Sequence, residues 1–193
     1  MAIEIPARFE NSTLDNYIPR DETQADFLKH VKALTEIDLA DIKTGFYVYG
    51  ESGTGKTHLM FSLIRELNKQ AREKYMNIAV IPEGQFNVIP DQARNMAQKY
   101  YAFFIDEVTP KDAERLEALL SITWNRCVPV FLASNYPPEE VINLDQVTDN
   151  PHRRQRFVRR FYESVTDGNI DNKNAKVHIY ELKNPNLRLT HLA

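Results

Sequence analysis

An α/β fold, with a five-stranded parallel sheet covered by helices on both faces, is predicted by three features of this sequence. The first is Gly50-Glu51-Ser52-Gly53-Thr54-Gly55-Lys56-Thr57, which fits the pattern G-x-x-x-x-G-K-[ST] and follows the strand-like run Phe46-Tyr47-Val48-Tyr49. The second is the unbroken apolar run Tyr101-Ala102-Phe103-Phe104-Ile105, which suits a central parallel strand buried on both faces and ends in Asp106-Glu107. The third is the alternation of such runs with segments of helical apolar spacing.

The chain of 193 residues suits one well-buried domain. No apolar run reaches the length of a membrane span or a signal-peptide core, so a cytoplasmic protein without membrane contact is expected. A single cysteine, Cys127, leaves no intramolecular disulfide and no cysteine metal cluster, and its place beside a strand reads as a small core residue. The formal net charge of -3 excludes a globally basic nucleic-acid coat but not a local basic face.

In chain order, residues 1–22 read as an extended entry segment, punctuated by Pro6 and Pro19, that lies on a domain formed by residues 23–193. Asp21 or Thr23 caps a first helix that carries Phe27, Val31 and Leu34 on one face. After the glycine loop, Leu59, Met60, Leu63, Ile64 and Leu67 mark the buried face of a second helix. Residues 77–81 form a short strand closed by Pro82, and Ala93, Met96, Ala97 and Tyr100 have the spacing of a short amphipathic helix. Residues 111–124 are helical with Leu116, Leu119, Leu120 and Trp124 inward, and residues 128–132 form the next strand. A turn at Asp167-Gly168-Asn169 precedes a fifth strand over residues 175–182, with Val177 and Ile179 on its inner face. The strand entering the glycine loop is expected at the centre, beside the strands ending at Asp106 and at Asn135.

The chemistry follows from the residue types. Glycines at 50, 53 and 55 let consecutive backbone N–H groups turn inward onto phosphate oxygens, and the following helix adds its positive dipole end. Lys56 reaches the terminal phosphates of a nucleotide, and the Thr57 hydroxyl holds Mg²⁺. Asp106 acts on the same ion, and Glu107 polarises an attacking water. Asn135, emerging from the next strand, is placed either to touch a γ-phosphate and that water or to form a turn before Tyr136-Pro137-Pro138. Five arginines crowd residues 152–160 (Arg153, Arg154, Arg156, Arg159, Arg160), with Phe157 and Phe161 giving the segment a buried edge. Three readings stay open for that run: a solvated helix face, an arginine supplied to a neighbouring subunit's nucleotide, or a phosphate-contacting patch for DNA.

Taken in order, these signals resemble an AAA+ ATPase, and in particular the helicase loaders of the DnaC and DnaI kind and the transposition helper IstB. Phe9-Glu10-Asn11 with Asn16-Tyr17 resembles the family's phenylalanine-led entry segment, and Gly53-Thr54-Gly55-Lys56-Thr57-His58-Leu59 its G-T-G-K-T-H-L run. Phe104-Ile105-Asp106-Glu107 resembles the second acidic motif, and Ala133-Ser134-Asn135 the strand-end sensor. Arg156-Phe157-Val158-Arg159-Arg160-Phe161 is similar to the segment carrying the trans-acting arginine, with Arg159 where the family has Asp. Arg160 is then the first finger candidate and Arg156 the second. Asn186-Leu187-Arg188 falls where the family ends its last strand, which makes Arg188 a second sensor. Ser134-Asn135-Tyr136-Pro137-Pro138 and Arg159-Arg160-Phe161 also resemble viral superfamily 3 helicases, a DNA- or RNA-unwinding alternative.

The resemblance implies a P-loop ATPase of the AAA+ type, a three-layer sandwich; as departures from the family, the lid domain is expected to be reduced or absent and the helicase-gripping domain that loaders carry before the core is not expected. ATP and Mg²⁺ are the implied ligands, with residues 50–57, His58 and Arg188 on the nucleotide, Thr57 and Asp106 on the metal, and Glu107, Asn135, Arg160 and Arg156 in catalysis. It further implies ATP-dependent homo-oligomers that remodel nucleoprotein in DNA replication, with a replicative helicase, or a transposase or recombinase, and single- or double-stranded DNA as partners.

Overall fold

The computed structural model describes residues 3, 5–82, 85–86, 98–145 and 148–184. Five parallel strands form one sheet: β1 (Phe46–Tyr49), β2 (Ile78–Ile81), β3 (Ala102–Val108), β4 (Val130–Ser134) and β5 (Ile179–Glu181), in the spatial order β2-β3-β4-β1-β5. The helices are α1 (Glu22–Thr35), α2 (Lys56–Glu73), α3 (Ala113–Thr123), the short α4 (Pro138–Val141) and α5 (Pro151–Ser164). No described helix is long and apolar enough to cross a membrane.

The period-2 alternation of the strands divides the core between two faces. Phe46, Val48, Ala102, Phe104, Phe131 and Ala133 face α1 and α2, where they meet Phe27, Val31, Leu59, Leu63 and Leu67. Tyr47, Phe103, Ile105, Val130 and Leu132 face α3 and α5, where they meet Leu116, Leu120, Phe157 and Phe161. Both faces being covered, β3 and β4 read as continuous apolar runs, which is how they were legible. Asp21 caps α1 by accepting from the Gln24 N–H, as its sequence position predicts.

The strand order corrects one expectation. β1 lies beside β4 and β5 and is separated from β3 by β4, so β4 is the central strand. Each strand's own apolar pattern fits either arrangement, because burial on both faces carries no information about which neighbour lies alongside.

Three side chains expected inside lie outside. Trp124 is 45% exposed at the start of a 3-10 turn, Trp124–Arg126, that ends α3. Cys127 is exposed and adopts φ 50°, closing that turn in a left-handed conformation. Val177 is 47% exposed because its backbone bridges Thr166 in antiparallel fashion before β5 begins, so the parallel strand is shorter than residues 175–182. The strand expected over 128–132 is offset to Val130–Ser134, although Phe103 N–H still donates to the Pro129 carbonyl at 3.0 Å. The helix expected around Ala93, Met96 and Ala97 lies outside the described residues, as does Arg188.

Candidate functional site

Parallel strands running one way bring the carboxyl ends of β1, β3 and β4 to one edge, where open α/β sheets bind ligands. A cavity of about 560 Å³ opens there, lined by Ser52, Gly53, Gly55, Lys56, Thr57, His58, Asp106, Glu107 and Asn135, with Arg8 and Phe9 of the entry segment.

Two glycines of the loop after β1, Gly50 and Gly55, stand where a side chain has no room. Gly50 has φ 138° and approaches β5 so closely that a Cβ there would lie 2.0 Å from the Leu182 carbonyl oxygen. Gly55 has φ 95°, and its Cβ would lie 2.5 Å from the Tyr17 ring. Thr54, buried within the loop, donates from its hydroxyl to the Glu51 carbonyl at 2.9 Å, while the Glu51 side chain faces solvent.

Lys56 is the first residue of α2 and is only 4% exposed. Its ammonium donates to the Gly50 carbonyl at 2.6 Å, the Glu51 carbonyl at 2.9 Å and Asn135 Oδ1 at 2.9 Å. Burial holds its pKa below that of a free lysine, with Glu107 and Asp106 pulling the other way. Asn135 donates from Nδ2 to Glu107 Oε1, which completes a chain Lys56–Asn135–Glu107 across three structural elements. Beside it the Thr57 hydroxyl donates to Asp106 Oδ1 at 3.1 Å.

Two backbone irregularities put both acids on the cavity. In a regular strand Asp106 and Glu107 would point to opposite faces. The β3–β4 register shifts between Ile105 and Val108, where β3 carries one residue more than β4, and Glu107 takes φ 58°. This bulge turns the second carboxylate toward the same side as the first. Ser134 secures the neighbouring strand end: its hydroxyl donates to the Val108 carbonyl at 2.6 Å and accepts the Tyr136 N–H at 2.9 Å. Tyr47 on β1 donates to the Tyr136 carbonyl at 2.8 Å, so the turn that presents Asn135 is tied to both adjacent strands.

The entry segment is fastened to the same place. His58 Nε2 lies 3.0 Å from the Thr13 carbonyl, the Tyr17 hydroxyl donates to the Thr54 carbonyl at 3.4 Å, and the Tyr17 and His58 rings pack 5.4 Å apart. Burial, and the charge of Asp21 after it, push the Tyr17 phenol up to about 12, so it stays a donor. Arg8 lines the cavity without a sequence signal: a lone arginine ahead of Phe9 has no spacing to set it apart.

Arg156 and Arg160 do not line this cavity. Along α5, Arg153 forms a bidentate pair with Glu117, Arg154 pairs with Asp145, and Arg159 pairs with Glu163 at 2.8 Å and Asp171 at 3.7 Å. Arg160 donates to the Ser121 hydroxyl at 2.5 Å and sits 5.7 Å over the Trp124 ring. Arg156 is exposed and pairs with no carboxylate among the described residues. Much of the run's charge is thus neutralised within the chain.

No family model matches the chain, and no curated protein matches it in sequence. Solved structures do match. The crystal structure of DnaI is 15% identical with a TM-score of 0.67, over 95% of this chain and 94% of that one. The DnaC helicase loader is 13% identical with a TM-score of 0.59, over 92% of this chain and 99% of that one. AMPPCP-bound DnaA from Aquifex aeolicus is 19% identical with a TM-score of 0.58, over 90% of this chain and 50% of that one. At such identities the likeness is one of architecture: this chain shares their α/β three-layer fold, a parallel five-stranded sheet between two helical layers.

Proposed function

We propose that the protein is an ATP-binding and ATP-hydrolysing switch of the helicase-loader kind, acting on a nucleoprotein complex in DNA replication. The observation that carries the reading is the Lys56–Asn135–Glu107 chain beside the Thr57–Asp106 pair, five side chains from two strand ends and the start of α2 gathered around one glycine loop. The likeness in fold to DnaI, DnaC and an AMPPCP-bound DnaA supports it.

Lys56 exchanges its backbone carbonyl partners for phosphate oxygens, which are better acceptors for a desolvated ammonium. The hydroxyl of Thr57 and the carboxylate of Asp106 are hard oxygen donors, the set that suits Mg²⁺. When bound, that ion neutralises charge on the phosphates. Glu107 orients the water that attacks the terminal phosphate, and Asn135, bonded to both Lys56 and Glu107, links phosphate occupancy to the position of that carboxylate. Arg156, exposed on α5, is the arginine best placed to reach a neighbouring subunit's nucleotide, because Arg160 would first have to leave Ser121 and Trp124. The domain proposed to do this spans residues 23–193, after an entry segment of residues 1–22. Its partners are a second copy of the chain, DNA, and a helicase or recombinase.

The deciding experiment is light scattering on the Glu107→Gln protein with and without ATP, Mg²⁺ and single-stranded DNA. Growth from monomer to oligomer only with ATP supports the switch. ATP binding with no change of mass under any condition would remove self-assembly from the reading, and no ATP binding would remove the reading itself.

A further inference from the structure

We infer that Arg8 is a nucleotide-phosphate contact supplied in cis by the entry segment, so that a phosphate-filled cavity fastens this segment over the loop. The inference rests on the nucleotide reading above and adds to it a residue outside the motif.

The cavity already holds two carboxylates, Asp106 and Glu107, and a nucleotide brings further negative charge among them. Lys56 is one permanent cation on its lining, a single charge against two carboxylates and the incoming phosphates. Arg8 is the other permanent cation among the described lining residues. Its planar guanidinium suits bidentate contact with phosphate oxygens, which a lysine makes only as a point charge.

Arg8 is aimed by an aromatic tier that rises from the helix following the loop. Phe61 is buried on α2, Phe9 stacks on it with centroids 5.2 Å apart at 17°, and the Arg8 guanidinium carbon lies 4.7 Å from the Phe9 centroid. The chain beyond Phe9 is held by the same helix and loop: Arg65 donates to the Glu10 carbonyl, His58 meets the Thr13 carbonyl, and Tyr17 reaches the Thr54 carbonyl. Phosphate contact by Arg8 therefore adds one more tie to a segment whose other ties already end on the loop and on the helix that follows it. By reciprocity, whatever lifts the entry segment away weakens nucleotide binding by the same factor.

Calorimetric titration with ATP and with ADP, each with Mg²⁺, tests this on the wild type, Arg8→Ala, Arg8→Lys and Lys56→Ala. Arg8 is exposed, so its removal should cost the nucleotide-free protein only its place over Phe9, a slight drop in melting temperature, and leave it folded. Arg8→Ala is expected to weaken ATP binding about tenfold or more, the loss of one charge-assisted contact, with partial recovery in Arg8→Lys. Hydrogen exchange should show ATP protecting amides of residues 5–17 in the wild type and not in Arg8→Ala. Unchanged ATP affinity and protection in Arg8→Ala, alongside lost binding in Lys56→Ala, would overturn the inference and leave the nucleotide reading intact. A wild type that binds neither nucleotide would remove both.

Discussion

Asn135 accepts from the Lys56 ammonium at 2.9 Å and donates to Glu107, so one side-chain amide joins the phosphate-loop cation to the second acid of β3. Asn135→Ala should therefore leave nucleotide affinity within a few-fold of wild type while lowering turnover about 10²-fold, the scale for losing one preorganised polar contact. Steady-state hydrolysis and equilibrium binding measured on the same preparation separate the two effects. A variant that loses affinity while its turnover at saturating ATP is unchanged would make Asn135 a ground-state contact only.

Glu107 occupies φ 58°, where a side chain with a Cβ is strained by about 1–2 kcal/mol. Both Glu107→Ala and Glu107→Gly remove the carboxylate, so their difference isolates the backbone. The glycine variant should be the more stable of the two by about 1 kcal/mol in urea unfolding, and neither should hydrolyse ATP. An alanine variant at least as stable as the glycine one would mean that the bulge holds Glu107 without strain.

Gly50 and Gly53 both have positive φ, but only Gly50 lacks room for a Cβ. Gly53→Ala should cost about 1 kcal/mol for the backbone conformation alone. Gly50→Ala adds a clash with the Leu182 carbonyl and should cost several times more, separating β1 from β5. Thermal melts that rank the two equally would contradict the close approach.

His30 stacks on His178 with ring centroids 3.9 Å apart and takes the Tyr180 hydroxyl at 2.9 Å on Nδ1, while His178 Nε2 lies 2.7 Å from Asp167. Burial first, then the His178 and Lys176 charges, bring the His30 pKa down to about 4, against the raising effect of Asp167. The unfolded chain therefore takes up a proton on His30 near pH 6.5 that the folded chain refuses until about pH 4, and stability falls as pH drops through that window. Allowing for its partial exposure, roughly 1–2 kcal/mol should be lost between pH 7 and 5. His30→Phe should flatten the pH dependence of the melting temperature over that range; an unaltered slope would assign it to other groups.

Arg156→Ala should lower the ATPase rate that appears on assembly, by about 10³-fold if it acts in trans, without altering monomer stability. Arg160→Ala should instead destabilise the monomer by about 0.5–1 kcal/mol through loss of its place over Trp124. The reverse pattern would return the trans role to Arg160.

The glycine loop, its lysine and threonine, and the acids after the longest apolar run were legible because each depends on local chemistry: φ values that only glycine tolerates, a cation and hydroxyl at fixed spacing, and a strand buried on both faces. Trp124 and Cys127 were misplaced for the complementary reason. Apolar spacing continues through residue 124, but α3 tightens into a 3-10 turn there, rotating Trp124 outward beneath Arg160, where its indole N–H reaches Glu163 at 2.6 Å.

What the sequence by itself determined is the glycine loop with Lys56 and Thr57, the acids that end the longest apolar run, and the α/β class, since periodicity and the loop motif mark those residue by residue. Tertiary structure decided the rest: that β4 lies between β1 and β3, that a bulge turns Asp106 and Glu107 to one side, that Asn135 closes on Lys56, and that Arg8 arrives over Phe9. Each depends on which distant segments meet, and that is settled by burying both faces of one sheet at once, a condition no local stretch of chain encodes.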